Sequence, residues 1–179
     1  MKNILLGVSG SIAAYKACDL ISELREKGHA VQVVMTKDAH HFVTPLALQS
    51  FAATEVVQDF FSLEGRLKPV HIELAKKADV IVVAPASADI IAKLAHGLAD
   101  DVLCCTVLAS EAPLVIAPAM NEKMFYNKMT QENIERLKKN GAVIVQPIEG
   151  HLVCMDKGMG HLAGNAAILA AVETALQKK

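Results

Sequence analysis

Apolar residues in this chain come in short runs broken by polar and glycine punctuation, and the runs alternate between strand-like and helix-like periods. Asn3 to Val8 reads as a first strand. Gly10-Ser11 follows, then a helix from about Ile12 to Lys27 that Gly28 stops. Ala30 to Met35, apolar and rich in β-branched residues, predicts a second strand. Between Thr36 and Gly65 the pattern is weaker: Pro45 to Phe51 predicts a short helix, Glu55 to Phe60 a strand or a loop, and Gly65 to Pro69 a loop. His71 to Lys77 predicts a short helix feeding the run Val80-Ile81-Val82-Val83-Ala84-Pro85, the clearest buried strand in the sequence. Ser87 stands where an N-cap belongs, with a helix to about His96 and Gly97 beyond it. Asp100 or Asp101 opens the next helix, to about Ser110, and Leu114 to Ala117 is a strand ended by Pro118. Thr130 to Asn140 reads as a polar helix closed by Gly141, and Ala142 to Gln146 as the last strand. A glycine-rich segment spans Gly150 to Gly164, and Asn165 caps a final helix running to the C-terminus.

Such alternation predicts an α/β protein: a single-domain, doubly wound, mainly parallel sheet with helices on both faces. No repeat, linker or low-complexity tract divides residues 1–179. The apolar fraction is 53% with only 4% aromatics, so the core is built from Ala, Val, Ile and Leu, as buried parallel strands require. A surplus of this size is equally compatible with a covered subunit interface. Net charge is −1, and no basic patch points to nucleic acid. No apolar run approaches the ~20 residues of a membrane span, and Met1-Lys2-Asn3-Ile4 leads into a strand rather than a signal peptide, so a cytoplasmic location is expected. Cys18, Cys104, Cys105 and Cys154 form no CxxC pair and no metal-ligand spacing with histidine; reduced thiols and no metal are expected.

Sheets of this kind bind ligands at the carboxyl ends of their strands, so the loops after Val8, Met35, Pro85 and Pro118 are expected to line one crevice. Gly7-Val8-Ser9-Gly10-Ser11 joins strand to helix, where glycine admits close approach and helix N–H groups suit a phosphate. It is neither GxGxxG nor GxxxxGKS, which favours a mononucleotide over a dinucleotide or a triphosphatase; an ordinary tight turn is the other reading. Ser87 fits a plain N-cap or a phosphate ligand. His71 fits a general base or an incidental histidine, and Asn121 fits a donor to a carboxylate or a helix-opening turn. Gly150 to Gly160 has the length and glycine content of a loop that moves over a site, in which Cys154 is either delivered to substrate or incidental. Cys18, Cys104 and Cys105 read as packed helix residues.

Four segments taken together, GVSGSIAAYK (Gly7 to Lys16), the stretch from Pro69 to Asp101, PAMNEKMF (Pro118 to Phe125) and GHLVCMDKGMG (Gly150 to Gly160), resemble the homo-oligomeric flavin-containing cysteine decarboxylases. The resemblance runs over nearly the whole chain, in order, and implies a flavodoxin- or Rossmann-like three-layer sandwich with FMN as cofactor. It implies roles residue by residue. His71 is the base for oxidation of the substrate's cysteinyl part, Asn121 holds the substrate carboxylate, and Cys154 is the acid of the final reduction. Gly10, Ser11, Thr36, Phe42, Ser87 and Asp89 fall in FMN-holding segments, Met120 lines the substrate site, and residues around 148–163 form a mobile substrate clamp. The sequence departs from the family where Phe125 replaces a common Trp, Asp89 a common Asn and His161 a common Arg, and where Leu152-Val153-Cys154-Met155-Asp156 replaces LACGD.

The activity so implied is decarboxylation of 4′-phosphopantothenoylcysteine to 4′-phosphopantetheine in coenzyme A biosynthesis, in a trimer or a multiple of trimers. The synthetase that makes the substrate is expected as a separate protein. Three alternatives stand beside it: a peptide-cysteine oxidative decarboxylase, against which Cys154 argues; a flavin prenyltransferase, which has no need of PxMNxxM; and a non-catalytic flavin-binding regulatory module, which retention of His71, Asn121 and Cys154 disfavours.

Overall fold

A computed structural model describes residues 1–60, 69–151 and 157–177, with the side chains of 151 and 157 left aside. Five strands, β1 (Asn3–Val8), β2 (Ala30–Met35), β3 (Val80–Ala86), β4 (Leu114–Pro118) and β5 (Val143–Ile144), form one sheet in the order β2-β1-β3-β4-β5. Every pairing in it is parallel. The helices are α1 (Ala17–Glu26), α2 (Pro45–Ala52), α3 (Val70–Lys77), α4 (Ala88–His96), α5 (Val102–Leu108), α6 (Glu122–Tyr126), α7 (Lys128–Lys139) and α8 (Asn165–Gln177). The doubly wound reading holds.

Strand side chains alternate between two apolar layers, as the period of two demands. Ile4, Leu6 and Val8 of β1 and Val80, Val82 and Ala84 of β3 pack with α1, α2 and α8. Leu5, Ile81, Val83 and Ile116 pack on the other side with α3, α4, α5 and α7. All seven residues of β3 are buried, because helices cover both its faces. Gly7 belongs to this packing and not to ligand approach: a Cβ there would come 2.6 Å from Leu103 Cδ1 of α5.

Several expectations need correcting. The first helix begins as a 3-10 turn over Ile12–Lys16 before α1. Of the two readings of Glu55 to Phe60, the loop holds, with only a bridge at Val57, whose carbonyl accepts from Met35 N–H at 2.9 Å. The helix-opening reading of Asn121 is met: a five-residue helix, α6, directly follows it. The strand expected over Ala142 to Gln146 narrows to two residues and is not the last. The glycine-rich segment expected as a loop contains two antiparallel strands, β6 (Ile148–His151) and β7 (Lys157–His161). Glycine content hid them, since glycine is depleted in strands generally. The loop expected at Gly65 to Pro69 lies, apart from Pro69, outside the described residues. Among the described residues no helix is long and apolar enough to cross a membrane.

Candidate active site

The order β2-β1-β3 makes the carboxyl end of β1 a switch point: the chain leaves β1 toward one side of the sheet and β3 toward the other, opening a crevice between the two exits. Ser9 spans it. Its Oγ donates to the Pro85 carbonyl at 2.8 Å and accepts from Ser87 N–H at 2.9 Å, so a buried hydroxyl ties the two exits together. Ser11 Oγ donates to the Ala119 carbonyl at 3.2 Å and accepts from Ala13 N–H at 3.4 Å, capping the 3-10 turn while reaching the loop after β4. Ala119 N–H in turn donates to the Ala86 carbonyl at 3.0 Å. Of the five buried polar residues among those described, Ser9, Ser11 and Ser87 all lie at this one edge, which marks it as the polar site within an apolar sheet.

The remaining candidates join this edge in different ways. Gly10 abuts the loop after β2 so closely that a Cβ would come 2.6 Å from Asp38 Cβ. Thr36 N–H donates to the Val8 carbonyl at 3.0 Å, and Thr36 caps the Lys37–His41 turn by position only, without a side-chain bond. Phe42 ends that turn and is exposed. Ser87 does occupy the N-cap of α4, but its Oγ donates to Asp89 Oδ1 at 2.5 Å and caps no backbone N–H. The plain-cap reading of Ser87 therefore fails: the first-turn amides of α4 are not satisfied by it, and Asp89 adds an acceptor beside them.

Asn121 Oδ1 accepts from Lys123 N–H at 2.9 Å, so the amide caps α6 and has its nitrogen turned away from that helix. Met120 is half-buried against the second core layer, Phe125 is buried there, and Met124 is exposed. His71 sits in the first turn of α3. Only two residues connect α3 to β3, and Asp79 N–H bonds the Asn3 carbonyl at the amino edge of β1, so α3 runs back along the sheet with His71 at its carboxyl edge. His71 Nδ1 is buried without a partner, and the ring meets Phe60 edge-on, with centroids 5.5 Å apart and planes at 87°. Among the described residues, no hydrogen bond or ring contact joins His71 to the loops bearing Ser11, Ser87 and Asn121. Cys154, with Leu152 to Asp156, lies outside the described residues.

The other thiols are set apart from this edge. Burial first, then the charge of Asp101, pushes the Cys104 pKa up; the same two causes in the same order raise Cys105, and burial followed by Asp19 raises Cys18. Asp100, Asp101 and Cys104 bring three ligand-type atoms within 4.8 Å, but Lys93 Nζ already sits 3.0 Å from Asp100 and 3.4 Å from Asp101. The bond to Lys93 holds the Asp100 carboxyl below its usual range.

Sequence reasoning missed Ser9 as a bridge and Glu122 as a partner of β7, although both lie inside the quoted motifs. The available signal was adjacency: each neighbours a named candidate, and each is a hydrogen-bonding side chain on a strand-end loop.

Comparison with known proteins follows this geometry. The model of the family described as Flavoprotein matches residues 1–177. The coenzyme A biosynthesis bifunctional protein CoaBC of Vibrio vulnificus is 45% identical over 99% of this chain and 44% of its own length. The chain thus spans under half the length of that relative. A protein of Streptococcus mutans, described as a probable phosphopantothenoylcysteine decarboxylase, is 45% identical over 98% of this chain and 99% of its own. Among solved structures, a cysteine-to-serine mutant of PPC decarboxylase complexed with pantothenoylaminoethenethiol superposes with a TM-score of 0.87, at 34% identity and 98% coverage of both chains. The FMN-dependent cysteine decarboxylase SpaF superposes with a TM-score of 0.86, at 34% identity over 99% of this chain and 97% of its own. A parallel sheet with its buried serines gathered at the β1/β3 switch point, matched from end to end by these relatives, places the chain in the flavoprotein family.

Proposed function

We propose that this chain is an FMN-dependent decarboxylase that converts 4′-phosphopantothenoylcysteine to 4′-phosphopantetheine in coenzyme A biosynthesis. The observation that carries the reading is the serine-bridged crevice at the β1/β3 switch point, in a chain 45% identical over nearly its full length to a probable phosphopantothenoylcysteine decarboxylase.

The residues present suit FMN. The Gly10 N–H, between the internally bonded Ser9 and Ser11 amides, and the first turn of α4 match a phosphate. The Ser11 and Ser87 hydroxyls and the Asp89 carboxylate match ribityl hydroxyls and ring N–H groups, and exposed Ile12, Tyr15 and Phe42 offer apolar surface for a flat ring. Gly10, Ser11, Thr36, Phe42, Ser87 and Asp89 would hold the cofactor. FMN supplies, when bound, the two-electron sink that a cysteinyl group lacks and gives the electrons back at the end of the cycle.

The protein's own work is orientation and proton movement. Asn121, which caps α6 through Oδ1, would hold the substrate carboxylate, and Met120 would line the same wall. His71 takes a proton at Nε2, the nitrogen opposite the buried Nδ1, as the cysteinyl carbon is oxidised to a thioaldehyde. The carboxylate is then β to C=S and leaves as CO2, giving an enethiolate. Cys154, in the clamp expected around 148–163, would donate the proton that completes the product. We also propose that the site is completed by a second copy, within a trimer or a multiple of trimers, for which the exposed apolar residues Met124, Tyr126 and Met129 offer a surface.

The test is mass spectrometry of the products formed from phosphopantothenoylcysteine by the yellow, FMN-loaded protein. Phosphopantetheine is expected. His71→Asn should retain flavin absorbance and lose CO2 release by roughly 100-fold or more. Turnover at the wild-type rate in that variant removes the base, and an enethiol as the only wild-type product supports a peptide-type oxidative decarboxylase instead.

A further inference from the structure

The residues flanking Asn121 both bond the glycine-rich hairpin. Met120 N–H donates to the Gly160 carbonyl at 3.0 Å, and Glu122 Oε1 accepts from Met159 N–H at 3.0 Å. Between them Asn121 caps α6. The glycines of β7 make room for this contact. A Cβ on Gly158 would fall 2.6 Å from Glu122 Oε2, and one on Gly160 would run into the Met120 carbonyl. Gly160 also has φ +141, a conformation other residues rarely adopt. A half-buried carboxylate, two glycines and a backbone bond therefore converge on one spot, and nothing in the cofactor or carboxylate roles above requires Glu122 there.

We infer that Glu122 is a positioning residue: its carboxylate docks β7 on the Asn121 loop and so sets the hairpin against the point where the substrate carboxylate is held. The step most sensitive to that placement is the last. Under the decarboxylase reading, an enethiol becomes phosphopantetheine by gaining two electrons and two protons, and that reading assigns one of the protons to Cys154. A misdocked hairpin leaves oxidation and CO2 loss intact but lets the enethiol escape while the cofactor stays reduced. This inference rests on the decarboxylase reading for its product outcome but not for the docking itself.

Two readouts test it on the FMN-loaded protein. Loss of a charge-assisted bond to an N–H should speed hydrogen exchange of the peptide carrying Met159 by about tenfold in Glu122→Ala. Glu122→Gln, which keeps an acceptor oxygen, should exchange nearly as wild type does. In an anaerobic single turnover, Glu122→Ala should raise the ratio of enethiol to phosphopantetheine several-fold at unchanged flavin content, and Glu122→Gln should restore it. Gly158→Ala, which crowds the carboxylate, should move both readouts in the same direction as Glu122→Ala. The inference is overturned if exchange or product ratio in Glu122→Ala matches wild type, or if Glu122→Gln is as impaired as Glu122→Ala. Exchange needs no substrate, so a wild-type protein that makes no phosphopantetheine sinks the functional reading while the docking is still decided by exchange.

Discussion

Cys104 is 1% exposed on α5, and its amide and thiol both bond the Asp101 carboxylate, at 2.8 and 3.4 Å. Burial, then that negative neighbour, disfavours the thiolate, so the folded-state pKa lies above the ordinary 9.0. The folded protein thus holds a proton that the unfolded chain releases. The associated stability is complete below about pH 9 and is lost as pH rises further. Thermal melts of wild type should fall more steeply between roughly pH 9 and pH 10.5 than those of Cys104→Ala, whatever the packing cost of the substitution at neutral pH. Parallel slopes would remove the thiol as the cause. At this scale the sequence singled out His71, Asn121 and Ser87 as candidates because a motif surrounds each. Ser9 was not, because its importance lies in a bond to Pro85, 76 positions away. Gly7 was read as serving a ligand and serves Leu103.

At the scale of elements, α5 shows how one cap supports a layer. Asp101 Oδ1 accepts from Cys104 N–H, and Oδ2 lies 3.4 Å from Lys93 on α4, so the residue closes the start of α5 and links it to its neighbour. Asp101→Ala should cost about 1 kcal/mol, the usual loss for such a cap, and Asp101→Asn should recover most of it by keeping the acceptor; chemical denaturation measures both. Either of two aspartates fitted the sequence; the fold puts Asp101 at the N-cap of α5 and leaves Asp100 exposed beside Lys93. Strand limits followed the same logic. Strands β1 and β2 end where their apolar runs end. The hairpin β6–β7 could not be read, since its stability comes from docking through Met120 and Glu122 rather than from strand propensity.

For the whole molecule, the apolar side chains left outside the two core layers matter most. Ile12, Tyr15, Phe42 and Leu46 are exposed near the carboxyl edge of the sheet, and Met124, Tyr126 and Met129 are exposed on and after α6. Large exposed apolar surface of this kind marks an interaction site. Light scattering should return three times the 19.1 kDa chain mass or a multiple of it, and the protein should lose bound flavin on dilution into monomers. A stable, flavin-loaded monomer would contradict a site shared between copies. The sequence by itself determined the alternation of strand and helix, the buried central strand and the four motif-bearing segments, because these depend on local period and on residue chemistry within a few positions. Tertiary structure alone decided the strand order that opens the crevice, the Ser9 bridge across it, the hairpin held by Glu122 and the place of His71 outside the serine network. Each of these depends on the placement of residues dozens of positions apart, fixed by sheet topology and core packing rather than by any local pattern.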